Sequence, residues 1–207
     1  MTVEARGAQR ARYHHGDLRA QLIAAVRDLV ETHGPDGFSV AEAARRAGVR
    51  SAAPYKHFKD RPEILRAVAA QGLDTLHDAK VAAADRHPRG SLESVAAIGV
   101  AYVDFARAQP GVFRLVFGLT EGHEAAPHLL SKGQDCFGVV KVAVGACIGR
   151  PAQDAEVLRR AYLVWALVHG HSFLIIDRKT DIDKEQIDDW SLMMAASRAV
   201  LGGGAAS

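Results

Sequence analysis

Three side chains that donate hydrogen bonds, Arg50, Ser51 and Lys56, lie within two helical turns of one another. An arginine can fork onto the O6 and N7 edge of guanine, which discriminates against other bases by about 1–3 kcal/mol. On an exposed helix face these groups would read duplex bases or steer onto them; the plainer alternative is a row of solvated charges. Elsewhere the chain offers little reactive chemistry. His169 and His171 are two apart, so on one helix they point in different directions and make a poor metal site. His14-His15 is no better. Cys136 and Cys147 lie in helical sequence and read as small buried residues of a reduced protein. No nucleophile–base spacing, phosphate-cradling glycine loop or metal-ligand cluster is present, so neither a catalytic nor a metal site is expected and the chain is not read as an enzyme.

The donors must be positioned by residues 39–65. Ser39 and Glu42 have the spacing of a capping box, and Phe38 that of a hydrophobic staple. Val40, Ala43, Ala44 and Ala47 give a short helix a small apolar face. Gly48 stands where a left-handed residue would end it, and Val49 plugs the turn. A second short helix is expected from about Arg50 to Ala52 onward, with Pro54 in its first turn. It would present Tyr55, Lys56 and His57 outward and be anchored by Phe58. Two small helices about a glycine turn make a helix-turn-helix. Ala43, Ala44, Ala47, Ala52 and Ala53 let them approach closely, and a major groove about 12 Å wide admits one α-helix.

Residues 13–65 resemble the N-terminal DNA-binding domain of the TetR family of transcriptional regulators. The resemblance covers 18–30, Gly-Phe-Ser-Val-Ala-Glu-Ala-Ala-Arg-Arg-Ala-Gly-Val at 37–49, and Ala-Pro-Tyr-Lys-His-Phe-Lys-Asp-Arg-Pro-Glu-Ile-Leu at 53–65. It implies that Tyr55, His57 and Arg61 clamp phosphates and that Ser39 shares its hydroxyl between cap and phosphate. Ala52-Ala53-Pro54 replaces the commoner Gly-Thr-Leu, so the usual threonine contact to phosphate has no counterpart. Gln109-Pro-Gly-Val-Phe-Arg-Leu-Val-Phe-Gly118 and Trp165-Ala-Leu-Val-His169-Gly170 resemble the C-terminal domain of a TetR subgroup with a Trp-His-Gly signature.

Composition agrees. The 207 residues are 48% hydrophobic, enough for a real core. The net charge is only +2, but 12 basic against 8 acidic residues fall in 1–66 and 14 against 16 in the remainder. A basic first third joined to a slightly acidic body suits a nucleic-acid reader. The most apolar stretch, 161–176, is interrupted by Trp165, His169 and His171 and falls short of the ~18 residues of a membrane span. The polar N-terminus lacks the apolar segment of a secretory signal, so a cytoplasmic location is expected.

Periodicity predicts an all-α chain of about nine helices. Residues 1–12 form a disordered basic arm, 13–62 the helix-turn-helix domain, 63–201 a larger helical ligand-binding and dimerisation domain, and 202–207 a frayed tail. Gly34-Pro35-Asp36-Gly37 stops the first long helix. Asp60, with Glu63, caps a helix to about Val81, and Ser91 caps one to about Ala108. A short apolar helix covers 112–117, a polar loop 120–126, and a further helix runs to Ile148. A helix over about 152–177 is apolar enough in its second half to be buried on all sides. A last one, capped by Asp181 or Asp183, runs over about 184–201.

Trp165 and His169 share a helix face. Tyr102, Phe105, Phe113 and Phe117 come from neighbouring helices and could complete a pocket; the competing reading is ordinary aromatic core with His169 hydrogen-bonded inside. The resemblance implies a homodimer joined by the last two helices, a pseudo-palindromic double-stranded DNA operator, and release by a small apolar or amphipathic inducer, with no other cofactor. The alternative is a helical protein-interaction module or small-molecule-binding protein without specific DNA recognition.

Overall fold

The computed structural model describes residues 3–118, 126–179 and 187–202, with side chains from Leu18 onward. Among the described residues there are eight α-helices, one 3-10 turn and no strand. They are α1 (Val3–Gly37), α2 (Val40–Arg46), the 3-10 turn (Pro54–Lys56), α3 (Arg61–Ala84), α4 (Leu92–Ala108), α5 (Pro110–Gly118), α6 (Pro127–Ile148), α7 (Ala155–Ile176) and α8 (Asp189–Leu201). The expected loop over 120–126 (but for Ala126), the cap at Asp181 or Asp183, the start near Lys184 and the tail beyond Gly202 lie outside the described residues.

Three expectations are corrected. The backbone is helical from Val3, where an irregular arm over 1–12 was expected; its alanine, arginine, glutamate and glutamine content favours helix. The second helix of the helix-turn-helix is a single 3-10 turn. Ala53 N–H donates to Arg50 O (2.9 Å) and Lys56 N–H to Ala53 O (3.1 Å), both three residues back. Pro54 has no amide to extend an α-helix through this segment and crowds the carbonyl four residues before it. Finally, α8 begins at Asp189 with Asp188 as its cap, the Asp188 carboxylate accepting Ser191 N–H at 2.8 Å.

Other boundaries follow local chemistry. Gly34 (φ 73°, ψ 170°) breaks α1 before one final turn. Asp60 accepts Glu63 N–H at 2.8 Å, and Glu63 reaches back to Lys59 N–H at 2.6 Å. Ser91 accepts Ser94 N–H at 3.1 Å, and Asp154 accepts Glu156 N–H at 2.8 Å.

One continuous core runs from Leu22, Val26 and Val30 of α1, through Phe38, Ala43 and Phe58, to Ile64, Val68 and Leu76 of α3, and on to Val103, Phe113 and Met193. The boundary expected at 62/63 therefore falls near the start of an unbroken helix whose first turns serve the head and whose remainder serves the body. A second cluster joins α4, α6 and α7 through Val95, Ile98, Val140, Val144, Val157 and Val164.

Helix α5 is the keystone between head and body. Its first amides have no partners within the helix. The Glu31 carboxylate, near the end of α1, accepts the N–H groups of Gly111 and Val112, both at 2.8 Å. A Cβ on Gly111 would lie 2.6 Å from Val30 O, and one on Gly72 of α3 would lie 2.5 Å from the Val112 side chain. At its other end, Arg114 donates to Ile176 O (2.8 Å) and to Asp177 (2.6 Å) at the close of α7.

Glu31→Ala leaves two amides without acceptors and should destabilise the fold by about 1–3 kcal/mol, read from urea denaturation. A loss under about 0.5 kcal/mol would show that this carboxylate does not hold α5.

Candidate nucleic-acid interface and ligand cavity

Helix α2 ends in a Schellman motif. Gly48 (φ 69°) donates to Arg45 O at 3.1 Å and Val49 to Ala44 O at 2.9 Å. The expected capping box at its start is absent. Ser39 is the N-cap residue, but its hydroxyl accepts no cap bond. Glu42 instead takes Arg45 (2.7 and 3.0 Å) and Arg46 (3.1 Å). Hydrogen bonds from these two guanidiniums hold its pKa down to about 2. A carboxylate with two arginines in reach prefers them to a backbone amide.

Beyond the turn, burial alternates sharply. Pro54 and Phe58 are buried, whereas Arg50, Ser51, Ala52 and Lys56 are exposed and Tyr55 is 58% exposed. His57 is half-buried. Arg50 and Lys56 form no ion pair among the described residues, so their charge faces solvent unneutralised. Phe58 seats the 3-10 turn, and Arg50, Ser51, Ala52, Tyr55 and Lys56 are left open to solvent around it. Arg61 is engaged differently. Its guanidinium stacks on Phe38, 4.6 Å from the ring centroid, and donates to Pro35 O at 2.5 Å. The expected phosphate clamp ties the end of α1 to the start of α3.

In the body, a cavity of about 380 Å³ opens between α3, α4, α5, α6 and α7. Tyr102, Phe117 and Trp165 of the predicted set line it, with Leu73, Leu129 and Phe137. Phe105, Phe113 and His169 do not line it; they form the packed layer beside it. Phe113 is fully buried and meets Phe117 at 4.8 Å and Tyr102 at 5.5 Å. His169 sits 4.8 Å from Phe117 and 4.9 Å from Phe173. Its Nδ1 shares a 2.7 Å hydrogen bond with the Tyr102 hydroxyl, the donor being set by the imidazole tautomer. Burial lowers the His169 pKa and raises that of Tyr102, so both are neutral near pH 7. A wider cleft of about 910 Å³ between α3 and α6 is bordered by charged groups, including the Lys132–Asp74 pair.

Sequence reasoning missed Lys80. It is 2% exposed, lines the 380 Å³ cavity, and donates to Cys136 O at 2.5 Å with Cys136 Sγ at 3.5 Å. The available signal was register: Lys80 follows Leu73 and Leu76 on the apolar stripe of α3, where an aliphatic residue would be expected. Burial lowers the Lys80 pKa and raises that of Cys136. The two cysteines are both free thiols on α6, about 16 Å apart along its axis. Among the described residues no group of three or more His, Cys, Asp or Glu side chains could hold a metal ion. No described helix is long and apolar enough to cross a membrane.

His169 gives a pH signature. Its folded pKa is lowered, so the unfolded chain binds the proton more tightly and stability falls as pH drops below the unfolded value of about 6.5. His169→Gln should flatten the difference in urea midpoint between pH 7.5 and 5.5. An equal difference in both proteins would count against a neutral, buried His169.

Comparison with known proteins agrees with this geometry. Residues 22–68 match the family model of bacterial regulatory proteins, tetR family, and residues 95–196 match that of the tetracyclin repressor-like C-terminal domain. An HTH-type transcriptional regulator of Bacillus subtilis, YobS, is 24% identical over 171 residues, 81% of this chain and 85% of that protein. A protein with unknown function from Rhodococcus sp. RHA1 shares 28% identity at a TM-score of 0.76, over 92% of this chain and 96% of that one. The fold is also that of FadR from Bacillus subtilis, solved in complex with stearoyl-CoA: TM-score 0.68, 13% identity, 90% and 99% coverage. The two matched segments take in the exposed turn and most of the cavity wall, and the chain belongs to the TetR family of DNA-binding transcriptional regulators.

Proposed function

We propose that this regulator is a repressor that binds a pseudo-palindromic operator as a homodimer and is released by a small apolar or amphipathic ligand in the 380 Å³ cavity. It acts by binding rather than catalysis, in the cytoplasm. The observation that carries the reading is the double role of α5. Phe117 and Val116 form cavity wall, while Gly111 and Val112 on the same short helix are gripped by Glu31 of the head. A guest that displaces the wall moves the seat of the head, which is the differential contact that ligand-dependent release requires. The stearoyl-CoA bound to the FadR neighbour supports an amphipathic guest.

Dimerisation is supported by α7. It leaves Leu158, Tyr162, Leu163, Leu167 and Leu174 exposed in the single chain, the last two in the half expected to be buried on all sides. Leu163, Leu167 and Leu174, at i, i+4 and i+11, share one helical face, an apolar stripe in search of a partner. Helix α8 contributes less: Met193 and Leu201 turn inward, and Trp190 stacks on His87 at 5.4 Å. Its outward Ala195 and Ala199 are small enough for close approach of a second copy. Two-fold symmetry then offers two reading turns to major grooves about 34–36 Å apart.

Mobility shifts with the gene's own upstream DNA, at controlled salt, test the reading against a ligand-binding protein or interaction module without specific DNA recognition. Specific binding should exceed random-DNA binding by at least ~10³-fold; equal binding to both, seen only at low salt, would reject the regulator reading. Tyr55→Ala should weaken binding to every sequence about tenfold, an assumed loss of one phosphate contact worth about 1.4 kcal/mol. Arg50→Ala should relax preference at one base pair. Leu167→Glu should give a monomer by light scattering and lose operator binding; a persistent dimer would move the interface elsewhere.

A further inference from the structure

Among the described residues, the cavity holds a cation with no counter-charge. Lys80 is 2% exposed, and its ammonium has three N–H donors. Its partners are the Cys136 carbonyl oxygen at 2.5 Å and the Cys136 sulfur at 3.5 Å, both on α6. Neither is an anion, since burial keeps the Cys136 thiol protonated. Among the described residues no carboxylate forms an ion pair with Lys80. Of the described acids on the adjoining helix turns, Asp74 pairs with Lys132 and Asp135 is exposed. A buried charge without a partner is costly, and proteins either pair it, neutralise it or replace it. Here a lysine occupies a stripe position that leucine would fill at no such cost, and it does so in the wall of the cavity.

The other walls are mostly apolar or aromatic: Leu73, Val116, Phe117, Leu129, Phe137 and Trp165. From this arrangement we infer that the cavity takes a compact amphipathic carboxylate, whose apolar part lies among these residues and whose anionic end pairs with the Lys80 ammonium. The inference rests on the proposed use of this cavity as the ligand site and adds the chemical class. It also gives the ligand a grip on two elements at once, because Lys80 belongs to α3, which continues from the head, and Phe117 to α5. Without the anion, burial lowers the proton affinity of Lys80; an opposed carboxylate would restore it.

The test uses two matched pairs on the full-length protein: decanoate against decan-1-ol, and 4-phenylbutanoate against 4-phenylbutan-1-ol. Binding is read by intrinsic tryptophan fluorescence, with Trp165 in the cavity wall, and by thermal shift. At least one acid should bind ten or more times tighter than its alcohol, and Lys80→Met should abolish that preference. Lys80→Met without ligand should melt about 3 °C or more above the wild type, because it removes an unpaired buried charge. Should Lys80→Met fold poorly, the acid-to-alcohol ratio on the wild type, together with Lys80→Gln, carries the test alone. If each alcohol binds as well as its acid, or if the preference survives in Lys80→Met, the carboxylate inference is wrong while the cavity remains a ligand site. If none of the four compounds binds, both the inference and the reading of the cavity as ligand site are overturned.

Discussion

A single carboxylate, that of Glu31, spans the first amides of α5 and fixes the reading head to the body. The contact combines three favourable terms. Two backbone donors gain acceptors, the carboxylate meets the positive end of a helix, and the close approach is permitted by the absence of a side chain on Gly111. A hydrophobic contact alone would let the head slide, because apolar burial is non-directional. Two parallel hydrogen bonds to adjacent amides set both distance and orientation. The head has further ties to the body through the length of α3, so α1 and α3 together make a two-point mount.

What is mounted is small. The exposed segment after α2 centres on one 3-10 turn stiffened by Pro54 and seated by Phe58, with Gly48 turning the chain into it. Such a turn has few internal hydrogen bonds, and its orientation is inherited from its seat. On the other side of α5 the packing is aromatic. Phe113 and Phe117 meet Tyr102 and His169 within 6 Å, and the Tyr102–His169 hydrogen bond is enclosed by rings. Tightly packed side chains rearrange in steps rather than deform smoothly, so a guest against Phe117 would favour one of a few discrete placements of α5. Arg107, Asp189 and His171 lock the far end of this layer. Burial works against ionisation of Asp189, but hydrogen bonds from Arg107 and His171 outweigh it and keep its pKa low.

The sequence made much of this legible, because the features concerned are local. Gly48, Asp60 and Ser91 each announce a helix end through backbone chemistry that needs no tertiary partner. The exposure of Arg50, Ser51 and Lys56 was legible because these donors stand beside Pro54 and Phe58, which anchor the segment. Other features depended on contacts between residues far apart in the chain. Glu42 has the spacing of a capping box, yet Arg45 and Arg46 take its carboxylate. Arg61 also stacks on Phe38 and donates to Pro35 O, contacts that its place in the sequence does not announce. Glu31 and Gly111 are 80 positions apart, and neither is unusual alone. Phe105, Phe113 and His169 were placed on the right layer but the wrong side of it, since spacing along a helix does not distinguish a cavity wall from the packing behind it. Helix α7 is apolar on faces that its own chain leaves open, because an apolar helix is equally consistent with burial in its own chain and with burial against a second copy.

Control of DNA binding by the body requires the head to be held rigidly enough for the body to set the gap between two copies. The direct measurement is affinity for duplexes carrying two copies of a half-site selected from random DNA, with the centre-to-centre separation varied one base pair at a time. The wild type should show a sharp optimum near one helical turn, about 10–10.5 base pairs, or a multiple of it. Glu31→Ala should retain affinity for an isolated half-site but bind a broad range of separations. An equally sharp optimum in Glu31→Ala would contradict the account, because the gap would then be set by something other than the grip of α1 on α5.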